Sequence, residues 1–220
     1  MSDLIDTTEM YLKVIFELEE QGQPALRARV AERLDQAMPS VSQTVSRLER
    51  DGLVTLDDHR IVELTPAGRD IAVAVMRKHR IAERFLYDVL GMDWAACHEE
   101  ACRWEHVLGD EAEARLLAML TSTDSDPYGN PIPGIDESSA VPRVAGVPVS
   151  SVDEGAHTLV ALGEGLQAEA EILTDCARAG LLPGATLSVR REGEQWVVDG
   201  PSGIVTVGAH DAGQMFVSRS

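Results

Sequence analysis

Basic residues are scarce in this chain: 19 Lys and Arg stand against 37 Asp and Glu in 220 residues, a formal net charge of −18. Proteins that coat nucleic acid without discrimination need the opposite balance, because that affinity comes from neutralising phosphates. This class is excluded, and the surplus of carboxylate favours cations instead. Long hydrophobic runs are also missing. None approaches the roughly 18–20 residues of a membrane span, and the opening Met1-Ser2-Asp3-Leu4 lacks the basic and apolar stretches of a signal peptide. The expectation is a soluble, cytoplasmic protein that does not use a membrane. Cysteine is sparse as well: Cys97, Cys102 and Cys176 form no tight CxxC pair and are odd in number. That argues against a disulfide framework and leaves a functional cysteine as a thiol or a metal ligand.

Apolar residues make up 44% of the chain, enough for real cores. The charge deficit is spread evenly, about −6 in each third, but Ala25 to Arg50 holds five bases (Arg27, Arg29, Arg33, Arg47, Arg50) against three acids. The only locally basic face is therefore a short one. Periodicity predicts an amphipathic helix over Thr7–Glu20, a short helix over Leu26–Leu34 and a third from about Pro39 to Asp51, stopped by Gly52. Two short strands, residues 53–56 and 61–64, flank a polar tip and read as a wing. A long helix follows to about Leu90, then helices over Trp94–Leu108 and Glu111–Leu120. Prolines and glycines break residues 124–151 into a linker or an ordered arm. A helix over Gly165–Ala179 and strands near 187–189, 196–198 and 204–207 suggest a small β-barrel. The fold class expected is mainly α with small β. Its parts are a winged helix-turn-helix domain (residues 1–73), a helical metal-binding and dimerisation domain (74–123), a proline-rich linker (124–150) and a C-terminal SH3-like β-barrel (151–220).

Two constellations carry chemistry. The third helix presents Ser40, Ser42, Gln43, Thr44, Ser46 and Arg47 outward. Hydroxyls suit phosphates, and a Gln near a helix N-terminus suits base edges in the major groove. A solvated polar face, or a winged helix that docks protein, are the plainer readings. Further on, Cys102, Glu105 and His106 sit at i, i+3 and i+4, so on a helix they share one face. Thiol, carboxylate and imidazole suit Fe(II), Co(II), Ni(II) or Zn(II) and are poor for Mg or Ca. His98 lies one turn before Cys102, and His79 and Glu83 form another i, i+4 pair. Singly, each has an ordinary structural reading; together they concentrate three of the six histidines beside acids or a thiol. Met10 alone reads as core. A metallohydrolase and a winged-helix repressor sensing an organic ligand are the competing functional classes, the first weakened by the absence of HExxH.

The runs Leu4-Ile5-Asp6-Thr7-Thr8-Glu9-Met10-Tyr11-Leu12, Leu26-Arg27-Ala28-Arg29, Met76-Arg77-Lys78-His79-Arg80, Glu100-Ala101-Cys102-Arg103-Trp104-Glu105-His106 and Gly129-Asn130-Pro131-Ile132-Pro133-Gly134 resemble the diphtheria-toxin-repressor family of iron-dependent regulators. The resemblance is dense over residues 3–134 and thinner beyond. It implies a transcriptional repressor, not an enzyme, that binds palindromic double-stranded operator DNA when loaded with Fe(II) and controls metal-homeostasis genes. Co, Ni, Mn or Zn would substitute in vitro. The family pattern implies a homodimer formed through the middle segment, with two dimers on one operator.

Carried over by position, it implies an activating site at Met10, Cys102, Glu105 and His106. An ancillary site would use His79, Glu83 and His98, completed by Glu169. The family's neighbouring amide ligand falls on Ile172, which cannot coordinate, with Glu171 beside it. An anion is implied at Arg80 and Asn130, although the expected hydroxyl there is Asp126. DNA contacts are implied for Arg27, Ala28, Gln36, Pro39, Ser40, Ser42, Gln43 and Arg60, with Ala37 where a Ser is common. The family also suggests that the first turn, near Asp3 to Asp6, unwinds on activation.

Overall fold

A computed structural model describes residues 6–135 and 143–218. The expected unwinding turn at Asp3 to Asp6 falls largely outside these residues, as does Pro142. The first helix, α1, spans Thr7–Glu20 and is capped by Asp6, whose carboxylate accepts from the Thr8 amide at 2.7 Å. Then come α2 (Arg27–Arg33) and α3 (Met38–Arg50), the latter with Pro39 in its first turn, where a missing N–H costs nothing. Strands β1 (Val54–Leu56) and β2 (Val62–Leu64) pair antiparallel as the wing. Tyr11, Leu12, Ile15 and Leu18 of α1 pack with Val30, Val41, Val45 and Leu48 in a single core. Hence α1 moves as one body with the helix-turn-helix.

The long helix α4 (Pro66–Asp88) starts under a Thr65 cap that accepts from the Gly68 amide at 3.1 Å. Gly68 has to be glycine: a Cβ there would lie 2.0 Å from the Leu53 carbonyl, which is how closely α4 meets the end of the DNA-reading head. The helix expected over 94–108 is shorter, a 3-10 turn at Trp94–Ala96 followed by α5 (Cys97–Trp104), with Glu105 as its C-cap. Glu105 still donates its amide to the Ala101 carbonyl at 3.0 Å, so the trajectory carries it on. Helix α6 spans Asp110–Leu117.

The C-terminal part is a six-stranded antiparallel sheet in the order β3-β8-β4-β5-β6-β7. Its strands are β3 (Val147–Pro148), β4 (Gly155–Leu162), β5 (Thr186–Glu192), β6 (Gln195–Gly200), β7 (Gly203–Val207) and β8 (Met215–Val217). The single helix expected over 165–179 is two, α7 (Glu164–Gln167) and α8 (Ala170–Arg178), and α9 (Ala209–Ala212) precedes β8.

Residues 126–132 form an ordered arm rather than a loose linker. Tyr128, Asn130 and Ile132 are buried, and the Tyr128 hydroxyl donates to the Trp94 carbonyl at 2.7 Å. Ala82, Leu86, Trp94, Cys97 and Ala101 of the middle helices share one core with Leu159, Leu162, Leu166 and Leu173. Gly129 enables the docking: its φ is +92°, and a Cβ would sit 2.1 Å from the Val160 carbonyl. Gly129→Ala therefore combines backbone strain with a backbone clash and should cost at least about 2 kcal/mol. An unchanged urea midpoint would contradict this docking.

Candidate metal centre and nucleic-acid interface

The arrangement begins with α4. His79 and Glu83, one turn apart, are fully buried and face α5, where His98 is also buried. His79 Nε2 lies 2.7 Å from Glu83 Oε1 and 3.3 Å from Glu164 Oε2, and His98 Nδ1 lies 3.0 Å from Glu83 Oε1. The other His79 nitrogen, Nδ1, is 2.6 Å from Glu105 Oε2. His79, Glu83, His98 and Glu164 place ligand atoms within 4.8 Å of one another, and so do His79, His98 and Cys102. His79 Nε2, Glu83 Oε2 and Glu164 Oε2 are buried without a hydrogen-bond partner. Buried polar atoms are nearly always satisfied. Three that converge fit a divalent cation, and imidazole, carboxylate and thiol are the donors such an ion takes.

Beside this cluster, Met10, Cys102, Glu105 and His106 line one cavity of about 410 Å³, together with Lys13, Glu17, Arg33, Glu164 and Glu169. His106 Nε2 lies 3.1 Å from Glu105 Oε1, while its Nδ1 is 2.7 Å from Glu9 Oε2 on α1. Lys13 donates to Glu105 Oε2 at 2.7 Å. The four residues expected at the activating site thus share one wall, and both clusters meet at His79.

Charge explains the ionisation of the donors. Burial opposes a thiolate at Cys102, yet Lys13, with hydrogen bonds from His79 and His98, pulls the thiol down to about 5. Burial likewise opposes the charged form of Glu105, but Lys13 and His79 hold its carboxyl well below the usual range. Burial pushes Cys97 and Cys176 up to about 12. In the metal-free chain, alkylation of Cys102 should therefore follow a thiolate that is full at pH 7 and lost as pH falls through about 5, while Cys97 and Cys176 stay inert. The folded value lies below the ordinary one. Stability from this thiolate is therefore present at high pH and lost on the same descent. Mass spectrometry of iodoacetamide-treated protein checks it, and a Cys102 inflection near 9 would contradict it.

The structure places the residues expected to complete and flank the site differently. Glu164, the first residue of α7, enters the cluster; Glu169, the N-cap of α8, is exposed at the cavity rim. Ile172 is half-buried against the shared core and Glu171 is exposed. Arg80, expected to hold an anion, is fully buried among protein acceptors. Glu20 takes it in bidentate fashion at 2.8 and 2.6 Å, Glu164 accepts at 3.1 Å and the Pro131 carbonyl at 2.6 Å. Asp126 lies 3.6 Å from Arg80 and accepts from the Asn130 amide at 2.9 Å. Carboxylates of the chain itself thus occupy the surroundings of both expected anion ligands. Lys13, Glu9 and Glu164 escaped the sequence reading; Lys13 stands three positions after Met10 and so on its face of α1, which was a usable signal.

On the reading head, Ala28, Gln36, Pro39, Ser40, Gln43 and Arg60 are exposed, and Arg27 and Ser42 half-buried. Val41, Val45 and Leu48 turn inward, leaving Ser40, Gln43 and Arg47 on the open face of α3. Asp57 Oδ1 accepts the amides of His59 and Ile61, fixing the wing tip, and Arg60 is held there at φ +61°. The Tyr11 hydroxyl donates to the side-chain oxygen of Gln36 at 2.5 Å, tying α1 to the entry of α3.

Residues 3–62 match the family described as iron-dependent repressor, N-terminal DNA-binding domain, and residues 65–134 match its metal-binding and dimerisation domain. The diphtheria toxin repressor of Corynebacterium diphtheriae is 48% identical over 195 residues, 86% of each chain. The chain belongs to the iron-dependent repressor family. The iron-dependent repressor IdeR of Mycobacterium tuberculosis is 47% identical over 197 residues, again 86% of each chain. Among solved structures, a manganese-dependent transcriptional repressor in complex with manganese superimposes with a TM-score of 0.75 at 31% identity, covering 96% of this chain and 99% of that one. The IdeR of T. acidophilum gives 0.76 at 26% identity, covering 98% and 100%. Iron-dependent repressors are DNA-binding regulators and not enzymes, and the three-part architecture expected from the sequence is theirs. Among the described residues, no helix is long and apolar enough to cross a membrane.

Proposed function

We propose that this chain is an Fe(II)-activated transcriptional repressor that grips palindromic operator DNA as a homodimer, two dimers to an operator, and controls metal-homeostasis genes. The observation that carries the reading is the buried donor cluster of His79 and Glu83 on α4, His98 on α5 and Glu164 on α7, in which Glu83 Oε2 and Glu164 Oε2 have no hydrogen-bond partner, placed where α4 and α5 approach α1 of the reading head. His79, Glu83, His98 and Glu164 would hold one ion; Met10, Cys102, Glu105 and His106 the other. Glu169 at the rim is a further candidate ligand for the first. Bound metal would supply positive charge to a site rich in carboxylate, and sulfur from Cys102 and Met10 favours Fe(II) over Mn(II).

The chain's own residues do the coupling. Met10 and Glu9 on α1 face His106 and Cys102, 92 to 97 positions later. Because α1 shares its core with α2 and α3, fixing α1 against α5 fixes the angle of the reading head. Tyr11 carries the same constraint to Gln36. Arg27, Ala28, Gln36, Pro39, Ser40, Ser42, Gln43 and Arg60 are assigned to DNA, with Gln43 reading bases and Arg60 a phosphate. Arg80 is assigned to holding Glu164 in place and Asn130 to holding Asp126, so an external anion has to displace Asp126. Exposed Tyr87, Val89, Leu90, Val107 and Met119, all on the middle helices and their connections, suit the dimer contact.

Selection from a random duplex library tests this. Co(II)-loaded protein is expected to enrich an inverted repeat, and metal-free protein none. Enrichment that ignores metal would overturn the reading.

A further inference from the structure

Lys13 is buried, with its ammonium inside the proposed activating site. Its Nζ donates to Glu105 Oε2 at 2.7 Å and lies 3.3 Å from His79 Nδ1. Sequence spacing places it three residues from Met10, on the same face of α1, and it lines the same cavity as Met10, Cys102 and His106. Burial opposes its charge, but Glu105, Cys102, Glu164 and Glu17 keep the ammonium protonated. A fixed positive charge therefore stands among the groups that would bind a divalent ion. Two cations a few ångströms apart repel strongly in a buried setting.

We propose that the Lys13 ammonium is a tethered competitor of the activating metal: it neutralises Glu105 and Cys102 in the metal-free chain and must be driven off them when metal binds. The inference rests on the reading of Met10, Cys102, Glu105 and His106 as that metal's site. A second seat for the ammonium exists. Glu17, one helical turn after Lys13, lines the same cavity, and its carboxylate, 3.5 Å from Arg33, already attracts the Lys13 charge. Because Glu17 and Lys13 stand on the same helix and line the same cavity, exchanging Glu105 for Glu17 asks for a change in the Lys13 side chain. Its consequence is functional: the chain carries its own counter-charge at rest, and the metal concentration at which it responds is raised by the competition.

The test compares wild type, Lys13→Met and Lys13→Arg by anaerobic Co(II) titration, read by the thiolate-to-cobalt absorption band in the near ultraviolet. Lys13→Met, unbranched and uncharged, should bind Co(II) at least about tenfold more tightly. Lys13→Arg, which keeps the charge, should stay within about threefold of wild type. Equal or weaker binding by Lys13→Met overturns the inference, as does an equal gain in Lys13→Arg. A measurement on wild type needs no folded variant: acetic anhydride labelling of Lys13 should rise when Co(II) is added, and unchanged or lower labelling overturns the proposal. If wild type gives no thiolate band, or Cys102→Ala keeps it, the site assignment itself fails; equal constants with the band present sink only the role of Lys13.

Discussion

Cys102→Ala should weaken Co(II) binding at the activating site by on the order of 100-fold or more, since loss even of groups outside the ligand shell costs 10–100-fold. It should also abolish the thiolate band and leave DNA affinity at the metal-free level. Fold stability offers a control. Cys102 touches His98 at 3.6 Å and its thiolate is held by Lys13 and His79, so the metal-free variant should still unfold cooperatively in urea, at a lower midpoint than wild type at pH 7 and closer to it near pH 5. Cys102→Asp extends the argument: an oxygen ligand in place of sulfur should lower discrimination against Mn(II). A Cys102→Ala protein that still bound Co(II) with unchanged affinity would remove the thiol from the site.

The second large effect separates two carboxylates. Glu164→Gln should weaken the ancillary site on the order of 100-fold and reduce Co(II) stoichiometry from two to one at moderate concentration, while Glu169→Gln changes affinity less than about threefold. The difference follows from position: Glu164 is buried with an unpaired oxygen aimed at His79 and His98, whereas Glu169 is exposed at the rim. Glu164→Gln also removes one of the carboxylates beside Arg80, but Glu20 still holds the guanidinium in bidentate fashion, so metal-free protein should remain folded. Isothermal titration of both variants decides it. The opposite ranking would mean that the α7–α8 segment rearranges so that Glu169 replaces Glu164.

Much of this was legible in the chain. Apolar spacing fixed α1, α3 and the wing to within a residue or two, because each buries a single regular stripe. The i, i+3, i+4 pattern of Cys102, Glu105 and His106 survives although α5 ends at Trp104, since the backbone stays helical through Glu105. Harder to see was Glu164. Its role depends on where the fold sets the start of α7, with Glu164 against Arg80 and His79, and those are tertiary contacts. Strands β3, β4 and β8 were missed for a related reason, being short or bulged pieces that pair across long separations. The carboxylates around Arg80 come from α1, α7 and the arm, three segments that only the fold assembles.

The most direct measurement is the affinity of one protein preparation for one selected operator duplex, by fluorescence anisotropy, first stripped of metal and then loaded with Co(II) at constant ionic strength. Coupling between ligand sites is typically about 1–3 kcal/mol, so metal should tighten DNA binding by roughly 5- to 150-fold, and by linkage the duplex should tighten metal binding by the same factor. Equal DNA affinity with and without metal would contradict the proposal that the ions held by these side chains set the reading head.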